Sequence, residues 1–341
     1  MTDKHGGDIY KRNIIYDFSA NTNPFGMPEG VKKALISSVD KWDAYPDPFC
    51  RALKEKISEK TGVDPDKIVC GNGAADLIYR IVRTVDPKKA VVSAPTFSEY
   101  EKALLESKCS VSRYYTKEEN DFEIKEDILE LLCDDTDMLV LCSPNNPTGM
   151  IIERDILKKI CEKCFEKDIV FLCDECFMEF VKNGESFSAM NFINKNVIIL
   201  KAFTKIYAMA GLRLGYAVFD DASLAEKTAE NGQYWSVGTP AQIAGIAALD
   251  EKLYIEKTVA TVEKERLFMV QTLKELGFKV YPSKANFILF KATSLLTPLL
   301  SPKHIQLRNC GNYEGLTSDY YRTAIKLNEQ NKVLLNALSN L

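Results

Sequence analysis

Residues 201–216 read K-A-F-T-K-I-Y-A-M-A-G-L-R-L-G-Y. Just before them, Val197, Ile198, Ile199 and Leu200 form a short apolar, β-branched run, which predicts a buried strand. The run ends in polar residues and Lys205. An amine at the exit of a buried strand has its pKa lowered by apolar surroundings and becomes a usable nucleophile. Arg213 follows eight residues on, and Tyr216–Phe219 reads as the next strand. Thr204, Lys205 and Arg213 together suit an anionic ligand that carries a carbonyl: the amine forms a Schiff base, and the hydroxyl and guanidinium hold a phosphate. Taken alone, the same residues also fit a surface lysine and arginine in a strand–helix loop.

Composition bounds the alternatives. The chain has 341 residues, enough for one large domain and a smaller one. Hydrophobic residues make up 46% and charged residues 27%, as in ordinary globular proteins. A net charge of −4 leaves no electrostatic footprint for nucleic acid or an anionic membrane. Met1–Arg12 has no apolar signal core, and no apolar run nears the roughly 18 residues that span a bilayer. A cytoplasmic protein is expected. The ten cysteines, among them Cys70, Cys109, Cys133, Cys142 and Cys173 inside apolar patterns, read as reduced, buried thiols. The pairs Cys161/Cys164 and Cys173/Cys176 have metal-ligand spacing. The only two histidines, His5 and His304, are far from both, so no metal site is expected.

From the N-terminus, residues 3–26 form a glycine-rich arm with a short extended segment at Ile14–Phe18. It carries His5-Gly6-Gly7 and Ser19-Ala20-Asn21 with free hydrogen-bonding groups. A helix is predicted over Glu29–Trp42, then the turn Tyr45-Pro46-Asp47-Pro48. Strand Ile68–Cys70 enters Gly71-Asn72-Gly73-Ala74-Ala75 and a helix. Small residues at such a turn let backbone N–H groups approach an anion at the helix N-terminus. Strand Ala90–Ala94 leads to Pro95-Thr96-Phe97, where Phe97 is a core aromatic or a ring-stacking one. Helix Tyr100–Glu106 and strand Ser110–Tyr115 follow. Strand Met138–Cys142 runs into P-N-N-P-T-G (144–149). Strand Ile169–Cys173 ends in Asp174, a carboxylate too costly to bury without a partner. Strands alternating with helices, their loops at the strands' carboxyl ends, predict an α/β fold. Beyond Asp221 come several helical stretches and a long helix near Leu253–Leu276. Strands Phe278–Tyr281, Ala285–Phe290 and Ile305–Leu307 and a last helix predict an α+β C-terminal unit. It contains Arg308 and, on an alternating strand, Arg322.

The lysine segment, the glycine-rich turn, P-N-N-P-T-G and Asp174, in this order, resemble the fold-type I pyridoxal-phosphate (PLP) enzymes of the aminotransferase family, over nearly the whole chain. The resemblance implies a mostly parallel seven-stranded large domain (41–240), a small α+β domain (241–341) and an N-terminal arm (1–40) shared with it. It implies PLP bound covalently by Lys205, its pyridine nitrogen paired with Asp174 and its ring under Phe97. Asn146 would donate to the ring O3′, and Gly73, Ala74, Ala75, Thr204 and Arg213 would hold the phosphate. Tyr45 would reach the phosphate of the partner subunit, which implies a two-fold homodimer. Within the family, H-G-G-D-I-Y, D-E-C-F-M-E-F and L-R-N-C-G-N-Y-E-G-L are similar to the threonine-phosphate decarboxylases of cobalamin biosynthesis. That implies a phosphorylated amino-acid substrate contacted by His5, Gly6, Asn21, Asn146, Arg308 and Arg322. The carboxylate and phosphate are not divided between the two arginines. Histidinol-phosphate aminotransferase is the alternative, and a catalytically silent binding protein a remoter one. Ala202, Ala74-Ala75-Asp76, Gly238 and the segment 292–302 depart from the usual family pattern.

Overall fold

The computed structural model describes residues 5–10 and 13–341. Its frame is a seven-stranded sheet with the order β2-β8-β7-β6-β5-β3-β4. The strands are β2 (Ile68–Gly71), β3 (Lys89–Ala94), β4 (Ser110–Tyr115), β5 (Met138–Cys142), β6 (Val170–Asp174), β7 (Val197–Ala202) and β8 (Gly215–Phe219). Only β8 is reversed, being antiparallel to both β2 and β7. β2, β5 and β8 are buried along their whole length, as expected where helices cover both faces. The covering helices include α3 (Ala74–Val85), α4 (Glu99–Glu106), α5 (Arg154–Glu166) and α7 (Ala222–Glu230), with the short α6 (Phe203–Ile206) directly after β7. Separate apolar clusters fill the two faces.

A second, four-stranded antiparallel sheet has the order β12-β13-β10-β9: β9 (Lys279–Val280), β10 (Phe287–Lys291), β12 (Arg308–Asn309) and β13 (Tyr320–Ala324). Helices α9 (Lys252–Glu275) and α11 (Asn328–Ser339) back it, with Met269, Leu273, Leu334 and Leu338 in its core. The N-terminal arm joins this unit. Its strand β1 (Tyr16–Asp17) pairs in parallel with β11 (Ile305–Gln306), and Phe18 lies in the same core.

Several expected bounds shift. The first helix, α1 (Glu29–Ile36), stops short of Trp42, and a separate 3₁₀ turn takes up Val39–Lys41. The polar pair Ser37-Ser38 separates the two, and both hydroxyls bond back to carbonyls three residues earlier. Helix α2 (Arg51–Thr61) was not anticipated: its mean hydropathy is low, and only Leu53 and Ile57 are buried. Two helices, α8 (Thr239–Ala248) and α10 (Leu296–Leu300), complete the described set. All ten cysteines are free, and Cys133 is exposed rather than buried. It follows a 3₁₀ helix at the protein surface, where Leu132 covers the core in its place. Among the described residues no helix is long and apolar enough to cross a membrane.

Candidate active site

The carboxyl ends of the large sheet converge on one cavity of about 230 Å³. Asp174 is the last residue of β6, Cys142 the last of β5, and Ala202 the last of β7; Thr204 and Lys205 follow on α6. This is where open α/β sheets place ligands.

Lys205 is half-buried, and its burial lowers the amine to about 8; the positive charges of Arg322 and Arg213 push the same way. The result is an amine partly free of its proton near neutrality. Its backbone is fixed from afar. Asn23 N–H donates to the Lys205 carbonyl at 2.9 Å, and Asn23 Nδ2 to the Ile206 carbonyl at 2.7 Å. Asp174 is buried. Tyr100 Oη donates to its Oδ2 at 2.6 Å and the Cys176 N–H to its Oδ1 at 2.9 Å. Burial raises the carboxyl in spite of these two bonds.

The turn after β2 forms an anion cradle. Gly73 has φ +85°, and α3 begins behind it without a side-chain cap, so its first N–H groups are open to a ligand. A Cβ on Gly73 would lie 2.6 Å from Arg213 Nη2, so only glycine lets the guanidinium come this close. Arg213 itself has φ +59°, a costly conformation for a bulky residue, kept where the surrounding loop enforces it. Ala74, Ala75, Thr204 and Arg213 all line the cavity; Gly73 backs it through Arg213.

The opposite wall is built by the arm and the small sheet. Arg322 on β13 donates through Nη1 to Asn146 Oδ1 and through Nη2 to the Ser19 carbonyl at 2.5 Å. Its buried Nε has no hydrogen-bond partner, and neither has Asn21 Oδ1. Such groups are costly to leave unpaired, which marks them as waiting for a ligand. Because Asn146 Oδ1 accepts from a guanidinium, its Nδ2 is the donor left for the cavity. His5 Nε2 lies 3.0 Å from Glu99 Oε1, and its ring lies 5.5 Å from that of Phe97. Gly6 presses on the arm's own return: a Cβ there would meet the Ser19 carbonyl oxygen at 2.2 Å.

The structure thus gathers His5, Gly6, Asn21, Ala74, Ala75, Phe97, Asn146, Asp174, Thr204, Lys205, Arg213 and Arg322 around one space. Besides Gly73, which backs it, two expected residues are not on its wall. Arg308 stands one layer behind, its guanidinium 5.2 Å from the ring centre of Tyr313 and in register with Arg322. Tyr45 is exposed and stacked on Trp235 at 4.5 Å. Three contributors were missed in the sequence: Tyr100 on Asp174; Tyr313, whose Oη lies 3.3 Å from Asn146 Oδ1; and the pair of Glu175 and Lys201 at 2.9 Å. Glu175 also accepts from Ser188 Oγ and from the Ala189 N–H at 2.6 Å, tying the end of β6 to the 3₁₀ turn at Ala189–Phe192. For Lys201, burial alone would lower the amine, but Glu175 and Glu179 raise it well above the ordinary value. A signal did exist for this pair: a charge inside an apolar strand, next to a second acid after β6.

These groups fit PLP one by one: an open helix N-terminus with Arg213 and Thr204 for a phosphate, a buried carboxylate for a ring N–H, an amide donor for a ring oxygen, and a partly neutral amine for an aldehyde. The comparisons agree. Residues 13–338 match the family model "Aminotransferase class I and II". The threonine-phosphate decarboxylase of Salmonella typhimurium is 35% identical over 349 residues, covering 99% of this chain and 96% of that protein. The histidinol-phosphate aminotransferase of Clostridium acetobutylicum is 29% identical and superposes with a TM-score of 0.89 over 96% of this chain and 98% of that one. That of Sinorhizobium meliloti, solved with pyridoxal 5′-phosphate, has the same fold: TM-score 0.88, 20% identity, 96% and 90% covered. The chain belongs to the class I and II aminotransferases, and with them to the pyridoxal-phosphate-dependent enzymes of fold type I.

Proposed function

We propose that this chain removes the α-carboxylate of L-threonine O-3-phosphate, giving 1-amino-2-propanol phosphate and CO₂. The observation that carries this reading is the cation on the wall facing the cofactor cradle. Arg213 and the α3 N-terminus suffice for one phosphate. Arg322, on the cavity wall with an unpartnered Nε, is then a second cation for an anionic group of the substrate itself. The 35% identity to the Salmonella decarboxylase supports the same substrate.

When bound, PLP supplies an electron sink for the pair left on Cα as a bond to that carbon breaks. Lys205 is the residue to hold it, with Asp174 at the ring nitrogen, Asn146 at O3′ and Phe97 over the ring. The burial that lowers Lys205 makes its neutral amine available to bind the aldehyde, and a pKa near 8 leaves the released amine able to take up a proton and, as the ammonium, to return it to Cα. Arg322, pinned by Asn146 and Ser19, orients the substrate, and the arm with His5 narrows the mouth against water. Phe177, on the cavity wall, brings no hydroxyl, so Asn146 is left as the donor to the ring oxygen. A two-fold homodimer goes with this reading. Tyr45, Trp235, Tyr234 and Phe49 form one exposed aromatic surface, and Tyr45 is the residue expected to cross to the partner's phosphate.

One observation favours a second reading, histidinol-phosphate aminotransferase: the superposition on the Clostridium enzyme at TM-score 0.89. Two incubations of PLP-loaded protein decide. CO₂ released from phosphothreonine supports decarboxylation. Glutamate formed from 2-oxoglutarate with histidinol phosphate, and no CO₂, overturns it.

A further inference from the structure

Between the large sheet and the small one lies a contact that touches no part of the cavity. After β4 the chain makes a 3₁₀ turn at Glu118–Asn120. Glu118 Oε1 accepts from Lys279 Nζ at 2.6 Å and Tyr281 Oη at 2.5 Å. Its Oε2 accepts from Tyr320 Oη at 2.8 Å, with Lys291 Nζ at 3.8 Å. Every one of these donors belongs to the small sheet. Lys279 is on β9, Tyr281 directly follows it, Lys291 ends β10 and Tyr320 opens β13. One carboxylate therefore collects three strands.

Tyr320 and Arg322 are two apart on β13, so their side chains leave the same face of the strand. Arg308 is the cross-strand register partner of Arg322. Phe122, from the same large-sheet loop, meets Tyr281 and Tyr320 edge-on at 5.1 and 6.1 Å, in an apolar cluster that also holds Tyr313. Tyr115 at the end of β4 adds a bond from its Oη to Glu314 Oε1 at 2.9 Å. The bonds from Lys279 and Tyr281 hold the Glu118 carboxyl down at about 2, so the clamp stays charged across the working pH range.

We propose that Glu118 is a positioning residue: it locks the small sheet against the large one and thereby sets how far Arg322 and Tyr313 reach toward the substrate. It acts through other residues and touches neither cofactor nor substrate. The proposal rests on the reading of Arg322 as a substrate anchor. A purely structural residue would loosen both halves of the site together. A positioning residue loosens only the half carried by the small sheet.

The test compares wild type, Glu118→Gln and Glu118→Asp, each loaded with PLP. Expected for Glu118→Gln is an affinity for phosphothreonine, read from the cofactor's absorbance, weaker by about tenfold, the effect of one charge-assisted bond lost. PLP affinity and the resting spectrum stay within about twofold, the precision of such titrations. Glu118→Asp recovers part of the loss. Amide exchange over residues 305–324 quickens in Glu118→Gln while that of β5 to β7 does not. Should Glu118→Gln not fold, Lys279→Met removes one exposed partner and is held to the same pattern. Equal losses of PLP and ligand affinity, or unchanged ligand affinity with unchanged exchange, overturn the proposal. If wild type fails to bind phosphothreonine, the functional reading has failed instead; inorganic phosphate then serves as the probe, and exchange over 305–324 decides the clamp on its own.

Discussion

The two walls of the cavity are made in different ways. The cofactor wall is a row of strand ends: Asp174 is held by the N–H of Cys176, two residues on, and Gly73 faces Arg213 across two paired strands. The substrate wall is closed from opposite ends of the chain. Arg322 bonds the carbonyl of Ser19, 303 residues away, and Lys326 reaches Ala20. The first wall comes mostly with the sheet, its long tie to the arm being that of Asn23 to Lys205 and Ile206. The second exists only when arm, small sheet and large sheet are docked together, and each long-range closure has its own entropic cost. Damage on the first wall should therefore remove the chemistry, and damage on the second should change its reach.

The largest effect is expected at Lys205. Lys205→Ala leaves no amine to capture the aldehyde, so reducing the complex with borohydride should fix no PLP to the chain. Turnover should fall by at least about a thousandfold, as when a covalent nucleophile is removed. PLP fixed elsewhere after reduction would break the assignment of this wall. Arg322→Ala comes next. It strips a buried guanidinium from Asn146 and Ser19 and should weaken phosphothreonine binding by about 2–5 kcal/mol while PLP still binds. If PLP affinity fell equally, the two walls would not be separate.

These differences also explain what the sequence reveals. Strand ends announce themselves: an apolar β-branched run, then a special residue, as at Asp174, Lys205 and Gly73. The alternation of strands and helices gives the large sheet almost strand for strand. Helix α2 stays hidden because only Leu53 and Ile57 of its eleven residues are buried, too few to make a stripe. Cys133 looks buried in a leucine-rich context, yet the turn points it outward. Tyr100, Tyr313 and Glu118 act through partners 74 to 202 positions away, and no local pattern encodes such a pairing. Arg308 carries the right residue type, but the register of β12 against β13 sets it one layer behind Tyr313.

The pH dependence ties the walls together. With the Lys205 amine lowered to about 8, capture of PLP by the cofactor-free chain should rise with a midpoint near that pH, because only the neutral amine attacks. Burial is the first cause and the charge of Arg322 the second. Arg322→Gln should therefore move the midpoint upward. The stability sign follows from the same lowering. Between about 8 and the unfolded lysine value the unfolded chain binds more protons, so this group's contribution to stability rises with pH through that window. The advantage of Lys205→Met in thermal stability at pH 7 should shrink by pH 10. A capture midpoint near 10 in the wild type would mean that the amine is solvated.

The smallest effect is expected at His5, where the arm meets the cavity mouth. Its contact with Glu99 is an ion pair only when the imidazole is charged, and the ring is half-exposed, so the pair contributes little to folding. Glu99 depends on it least: burial would raise its carboxyl, but Tyr79 Oη at 2.7 Å and the charge of Lys102 come first in holding it low, ahead of His5. His5→Ala should accordingly leave the melting temperature and the PLP affinity unchanged. Substrate affinity should drop by roughly threefold to tenfold, the range of one partly exposed polar contact. That small and selective loss is the sharpest form of the comparison. The arm's other anchors, Gly7 N–H on Ser19 Oγ at 2.8 Å and Ser19 N–H on Asp17 at 2.8 Å, stay intact in the variant, so only the group that faces the ligand has gone. A change in PLP affinity with none in substrate affinity would move the arm to the cofactor wall, and the division between the two walls would have to be redrawn around Phe97, whose ring the imidazole touches.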